Sequence, residues 1–490
     1  MAAAAWSTGR SGAMDVTRRL AEICGPPFAR LAGAADDVAG RQARWVAVPG
    51  DPERAADVLR LAAAHDLTVV PRGAGTKIDW GAAPDHVDIM LDTGRLAGIG
   101  HVAGSRHGRA GNQHPHPPAP ATHLGPRATA DRRAVNRVAT DQVVVDQVVE
   151  VGAGTPLRAA QAALGRAGLR LALDAPSPGA TVGGVLAADE GGPLGHHHGD
   201  PGEQVVGVRY LNADGELVSA GDGSPGLELA RLLCGSQGAL GVLLSATLRV
   251  HPVPADQVWV SLPVWTPADA RDLVRSVRDA RLDPAAVELD LPARMRPRPQ
   301  PDDPAAVAAR ARHPSMFRRT TPPTGAGTFT VLIEGDPVDV AERVDVLLGL
   351  FGDGATIDRS APQWWRRYPF GPGDTALRID APSTDLHAAL YALHDVAGGP
   401  VPIRGSVGRG VVHAALPATL PAERVASIVD GVRTVLFARR GRCVVVAAPP
   451  PVRRVVDLWG HLMSLPRLRA AKEYLDPRQR LAPGRLPGGL

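Results

Sequence analysis

Four short segments made almost wholly of small residues recur in the first half of this chain: PRGAGT at 71–76, GAGT at 152–155, PGATVGG at 178–184 and GSQGALG at 235–241. The first two follow apolar, β-branched runs that read as strands, at 67–70 and 143–151, and the fourth follows a helical run at 227–233. A phosphate-bearing ligand needs backbone N–H donors that can approach it closely. Only small residues leave that approach open, and glycine also allows positive φ. One such loop reads equally as a tight turn. Four in succession predict a chain that folds repeatedly around one extended ligand.

The runs between these loops set the fold expectation. A strand at 45–48 is followed by Asp51-Pro52-Glu53, a helix start with proline in its first turn and acid at the positive end of the dipole. Strands are expected at 67–70 and 87–91, and Thr155 is expected to cap a helix with Pro156 at its first position. A hairpin is read at 204–211 and 217–219, and a strand at 243–250. Beyond His251-Pro252-Val253-Pro254, strands and helices alternate, which predicts an α+β sheet domain with helices on one face. The His-, Pro- and Arg-rich stretch at about 101–140 has no hydrophobic period and reads as an insertion.

Charge and cysteine usage narrow the function classes. The net charge is +4, but the chain has only two lysines, Lys77 and Lys472, and its acids are interspersed among the arginines. No basic stripe emerges, so nucleic acid is not an expected partner. Three distant cysteines, Cys24, Cys234 and Cys443, form no CxxC pair; neither an iron–sulfur cluster nor a structural zinc is expected, and a reducing cytoplasm suits them. The N-terminal MAAAAWSTGRSGAMD has too short an apolar core for a signal peptide, and no run approaches a membrane span.

In order along the chain, VVPRGAGTKIDWG, VEVGAGTPL, LDAPSPGATVGGVLAA and LLCGSQGALGVLLSATLRVHPVP resemble the PCMH-type FAD-binding domain of the vanillyl-alcohol-oxidase superfamily, and LDPRQRLAPGRLPGGL resembles that family's C-terminal segment. The tail and TKIDWG look most like the second FAD-binding subunit of bacterial glycolate oxidase. The resemblance implies an α+β fold: a helical lead-in at 1–40, a two-subdomain FAD-binding domain at 41–254, a ferredoxin-like cap at 255–455, and a segment at 456–490 returning to the FAD domain. Pro71, Arg72, Gly73, Ala74, Gly75 and Thr76 would wrap the FAD diphosphate. Pro178, Gly179, Ala180, Thr181, Gly183 and Gly184 would hold diphosphate and ribityl chain. Gly235, Ser236, Gly238, Gly241 and Val242 would approach flavin and adenosine. Covalent members carry a histidine in the first loop; here the loop is GAGTK, so FAD is expected to be non-covalent.

The implied activity is oxidation of a small-molecule 2-hydroxy acid, with hydride passing from its α-carbon to flavin N5. The implied partners are a catalytic flavin subunit and an iron–sulfur subunit, with peripheral inner-membrane attachment through them. Two departures motivate a scaffold subunit that has lost FAD: Asp189-Glu190-Gly191 after the Ala-Ala of the third loop, and a shortened 221–226. A stand-alone sugar or alcohol oxidase is the third alternative. Trp364-Trp365-Arg366-Arg367 and Arg404 suit carboxylate recognition, although surface or subunit-interface arginine is the commoner reading in an Arg-rich chain. His196-His197-His198 reads as a solvated loop, His413 as a core residue, and the run from His107 to His114 as a chance likeness to a dehydrogenase signature. No metal site and no catalytic base are assigned.

Overall fold

The computed structural model describes residues 14–104, 147–221, 226–293 and 326–490. The run from His107 to His114 and most of 221–226 lie outside the described residues. The described residues form three sheets. In the first, strand Arg41–Ala47 leads through helix Pro52–Ala64 to strand Val69–Arg72, and strand Val87–Asp92 lies parallel between the two. Asp51 caps the helix by accepting from the Arg54 N–H at 2.8 Å, and Ala55, Val58, Leu59 and Ala62 form its buried face. The lead-in is helical over 14–24, but strands Ala29–Leu31 and Asp37–Val38 then join this sheet, because the strand at 41–47 offers them an open edge.

The second sheet is antiparallel, in the order Leu217–Gly221, Val205–Leu211, Val242–Pro252, Gln147–Gly152, Ala103–Gly104. Its helix Leu157–Gly165 starts one residue later than the Thr155 cap implies, with Pro156 in the cap position. The Thr155 hydroxyl instead receives the Gly98 N–H at 2.9 Å and donates to its carbonyl at 3.1 Å, tying the loop to the segment before the insertion.

The third sheet has eight antiparallel strands and is a duplication. Strands Asp256–Val264, Ala286–Leu291, Gly327–Gly335 and Thr356–Asp358, with helices Pro267–Asp279 and Pro337–Phe351, make one βαββαβ unit. Strands Thr375–Asp380, Ile403–Ser406, Val411–Leu416 and Arg442–Ala447, with helices Leu386–Ala397 and Ala422–Phe437, make a second. In each unit the strands lie in ferredoxin-like order 4-1-3-2, and the units join through their second strands, Leu289 opposite Gly405. All four helices pack on one face, against Val287, Leu289, Leu377, Ile379, Val412 and Ala414. Side chains alternate along a strand, so Glu288, Asp290, Arg378 and His413 emerge on the other face, towards the first two sheets.

The C-terminal segment closes the structure. Helix Leu465–Leu475 leads to a stretch in which Leu481 bridges Val69 in parallel, with Val69 N–H donating to Arg480 O at 2.8 Å and Ala482 N–H to Val69 O at 2.9 Å. Lys472 and Asp476 have no exposed side-chain surface and pair at 2.6 Å. The ammonium also donates to the carbonyls of Ala239 at 2.8 Å and Leu481 at 2.7 Å, and the carboxylate accepts the N–H groups of Arg480 and Leu481. Removing one partner of a buried pair leaves the other charge uncompensated, at a cost of about 3–5 kcal/mol. Lys472→Met is expected to lose stability on that scale in urea unfolding; a change within ~0.5 kcal/mol would show that the pair does not hold the tail.

Candidate cofactor cleft and the adjoining arginine pocket

All four small-residue segments meet at one cleft of about 910 Å³, counting its open mouth. Its walls are Val70 to Ile78 from the first segment, Ala153 from the second, Thr181, Gly183 and Gly184 from the third, and Ser236 to Gly238 with Gly241 to Leu243 from the fourth. Several glycines are there so that the loops can touch one another. A Cβ on Gly73 would lie 2.2 Å from Thr181 Oγ1, and one on Gly238, whose φ is +76°, would lie 2.2 Å from Pro71 Cγ. The convergence of the loops is therefore written into the same residues that keep the cleft open.

The cleft is suited to an anion. The N–H groups of Gly73, Ala74, Gly75, Thr76 and Lys77 donate to no other residue among the described ones. Arg72, Lys77 and Arg485 line it, and no Asp or Glu does. Arg72 is matched by Asp36 at 3.2 Å and Asp92 at 2.8 Å, and Lys77 by Glu190 at 2.7 Å. Arg485 donates only to neutral groups: the carbonyls of Ile78 at 3.0 Å and Trp80 at 2.7 Å, and Gln237 Oε1 at 3.1 Å. Burial, with Arg453 nearby, pushes Arg485 down to about 10. A buried cation without a carboxylate partner calls for a negative ligand.

Of the residues expected to contact a cofactor, Pro71, Arg72, Gly73, Ala74, Gly75, Thr76, Thr181, Gly183, Gly184, Ser236, Gly238, Gly241 and Val242 line this cleft. Four stand apart from it. Pro178 and Gly179 are exposed at the tip of their turn, Ala180 is buried behind it with its carbonyl accepting from Leu157 N–H, and Gly235 donates to Leu186 O as the backbone turns at φ +77°.

Sequence reasoning missed the link between the cleft and the third sheet. Glu190, 5% exposed, accepts from Lys77 and, at 2.8 Å, from the Tyr368 hydroxyl. The Lys77 ammonium lies 3.9 Å from the Trp80 ring centroid and 4.7 Å from that of Tyr368. Trp80, Tyr368, Phe370 and His413 form one aromatic cluster, with Tyr368 stacked on Phe370 at 4.8 Å. Burial pushes Tyr368 well above its ordinary range and lowers Lys77; burial, then Arg378 and Lys77, push His413 down to about 3. The unusual Glu190 thus joins the first loop to the far domain. Its signal was an acid where small polar residues were expected.

Behind that cluster lies a second cavity of about 470 Å³, lined by Glu288, Arg366, Arg367, Tyr368, Arg404, Ser406, Arg409 and His413 among others. Arg404 pairs with Asp290 at 2.7 Å, and Arg409 pairs with Asp200. Arg366 and Arg367 are exposed and make no ion pair among the described residues. The three histidines at 196–198 form a short helix rather than a loop, because His198 packs on His251 at 4.3 Å and His196 backs onto Gly408. Among the described residues no cluster of His, Cys, Asp and Glu could hold a metal ion.

The profile of the FAD binding domain matches residues 129–221. Over those residues the chain carries an FAD binding domain. It is similar to D-lactate dehydrogenase of Archaeoglobus fulgidus, 29% identical over half of this chain and 46% of that protein. It is also similar to D-2-hydroxyglutarate dehydrogenase of Xanthomonas citri pv. viticola, 28% identical over 44% of this chain and 39% of that protein. Glycolate oxidase subunit GlcE of Escherichia coli is 35% identical over 22% of this chain and 32% of its own length. The matches thus span less than half the length of these relatives. A solved structure of alkyldihydroxyacetonephosphate synthase superposes with a TM-score of 0.59 at 16% identity, over 91% of this chain and 78% of that one, which shows a shared overall fold.

Two outcomes follow from this geometry. Gly238→Ala, strained at its φ and blocked by Pro71, should weaken FAD retention at least about tenfold in equilibrium dialysis, since a clash at a special φ costs on the order of 1–3 kcal/mol; unchanged retention would show that this contact does not shape the cleft. Burial in the sheet pushes the Glu288 carboxyl up to about 8, opposed by a hydrogen bond from Ser406 and by Arg409, with Asp174 adding to the shift. Its folded value is raised, so its contribution is full below the ordinary value of 4.5 and lost as pH climbs through about 8. Relative to Glu288→Gln, the wild-type chain should lose stability steadily between those limits; parallel stability curves for the two would contradict it.

Proposed function

We propose that this chain is an FAD-dependent oxidoreductase acting on the CH–OH group of a small 2-hydroxy acid, as one subunit of a glycolate-oxidase-like complex. The observation that carries the reading is that the cleft and the arginine pocket adjoin: Trp80 of the cleft wall meets Tyr368 and His413 of the pocket wall. When bound, FAD supplies a hydride acceptor at flavin N5 for the substrate's α-hydrogen.

The chain's own residues do the rest. The backbone at 73–77 and the turns at 181–184 and 236–242 hold the dinucleotide, with Arg485 offsetting its charge. Arg366 and Arg367 bind the substrate carboxylate, and Arg404, braced by Asp290, backs them. The aromatic cluster keeps water from the boundary between the two sites. The dehydrogenase names of the relatives support the substrate class, and the GlcE match supports membership of a complex; a catalytic flavin subunit and an iron–sulfur subunit are the partners proposed. Among the described residues no helix is long and apolar enough to cross a membrane, so membrane attachment would run through those partners.

The purified protein should be yellow, and denaturation should release all its flavin, since the first loop offers no histidine for attachment. Anaerobic addition of a 2-hydroxy acid should bleach the flavin bands, in the isolated chain or with its partner subunits. A colourless protein that takes up no added FAD would replace this reading with the scaffold; bleaching by polyols alone, with peroxide release, would replace it with a stand-alone oxidase.

A further inference from the structure

A 2-hydroxy acid that gives up its α-hydrogen as hydride must also give up its hydroxyl proton, and the arginine pocket has to take it. The candidates among the lining residues are Glu288, His413 and Tyr368. Glu288 is engaged by Ser406, and burial pushes it up to about 8, so below that pH it already carries a proton. Burial, then Arg378 and Lys77, push His413 down to about 3, so it takes a second proton only in strong acid. A tyrosine hydroxyl alone is no base either, but Tyr368 has an acid behind it.

Tyr368 is half-buried, lines the cavity and donates its hydroxyl hydrogen to Glu190 Oε1 at 2.8 Å. The same carboxylate oxygen lies 2.7 Å from the Lys77 ammonium, which donates to Ser177 Oγ at 2.5 Å. Ser177 is half-buried, and the next two residues, Pro178 and Gly179, are exposed. A tyrosine oxygen that donates its own hydrogen still has lone pairs to accept another. One hydrogen-bonded line therefore runs from the cavity wall to the exposed turn at 177–179, through side chains that lie far apart in the sequence.

We propose that Tyr368 is a catalytic residue of this pocket and that this line carries the proton out: the substrate hydroxyl passes its proton to Tyr368 Oη as Tyr368 passes its own to Glu190. The proposal deepens the substrate reading above and rests on it. With the hydride going to FAD, the exchange leaves a 2-oxo acid, a neutral Glu190 and an unchanged Tyr368. The tyrosine never has to ionise, which suits a group that burial holds well above its ordinary range. A neutral Glu190 no longer offsets the Lys77 ammonium, whose side chain is only 9% exposed. A buried charge without its partner is costly. Lys77 therefore releases a proton to solvent at Ser177 and takes the one on Glu190, which restores the ion pair.

The test joins a rate to a binding measurement on the full-length FAD-loaded protein with its partner subunits. Tyr368→Phe removes the hydroxyl and keeps the ring stacked on Phe370. It should slow anaerobic bleaching by glycolate at least about a hundredfold, the lower end of what a positioned proton acceptor contributes. In mixtures of H2O and D2O the wild-type bleaching rate should fall along a curve, because more than one proton moves in the step. With the flavin reduced beforehand, so that nothing turns over, glycolate should bind about threefold to tenfold tighter than acetate, which lacks the hydroxyl; that is the worth of one hydrogen bond. Tyr368→Phe should bind the two alike. Glu190→Gln, which accepts the tyrosine hydrogen bond but takes no proton, should keep the glycolate preference and lose the rate. Bleaching that Tyr368→Phe leaves unslowed, equal binding of glycolate and acetate by the wild type, or a straight-line isotope dependence would each overturn the proposal while the oxidoreductase reading stands. A flavin that no hydroxy acid bleaches would overturn both.

Discussion

The ammonium of Lys472 ties three separate parts of the chain together: the fourth small-residue turn through Ala239, the tail through Leu481, and its own helix through Asp476. Because Leu481 is bridged to Val69, which leads into the first turn, one buried ion pair fixes the distance across the cleft. A planar guanidinium could not donate in those three directions from one nitrogen, which is a physical reason for a lysine here in a chain whose other cations, Lys77 apart, are arginines. Lys77 obeys the same logic at the opposite wall, where a compact charge fits between Glu190 and two aromatic rings.

Around that frame the loops pack backbone to side chain. Gly73 against Thr181 and Gly238 against Pro71 replace the large side chains that would otherwise fill a core. The result is a cleft whose walls are rigid but whose lining is mostly main chain, which suits the scarcity of aromatic residues, 4% of the sequence. Three of the aromatics, Trp80, Tyr368 and Phe370, gather at the boundary between cleft and arginine pocket, where bulk can exclude water.

Much of this was legible in the residues. The order of the four segments and the cap at Asp51 are local features, and local chemistry dictated them. What could not be read was pairing at long range. The 4-1-3-2 order of each unit, the duplication that sets Glu288 beside Ser406, and the bridge from Lys77 through Glu190 to Tyr368 join residues as much as 178 positions apart. No local pattern encodes such contacts. For the same reason Asp189-Glu190-Gly191 looked like decay in the sequence, whereas in the fold Glu190 pairs with a buried lysine and a buried tyrosine.

The most direct test of the account is hydrogen–deuterium exchange of the apoprotein with and without FAD. Peptides covering 71–78, 180–188 and 235–243, together with the tail around 481–486, should gain protection together and saturate at one FAD concentration. Protection confined to a single segment, or spread over the third sheet while these segments stay unchanged, would contradict a common cleft.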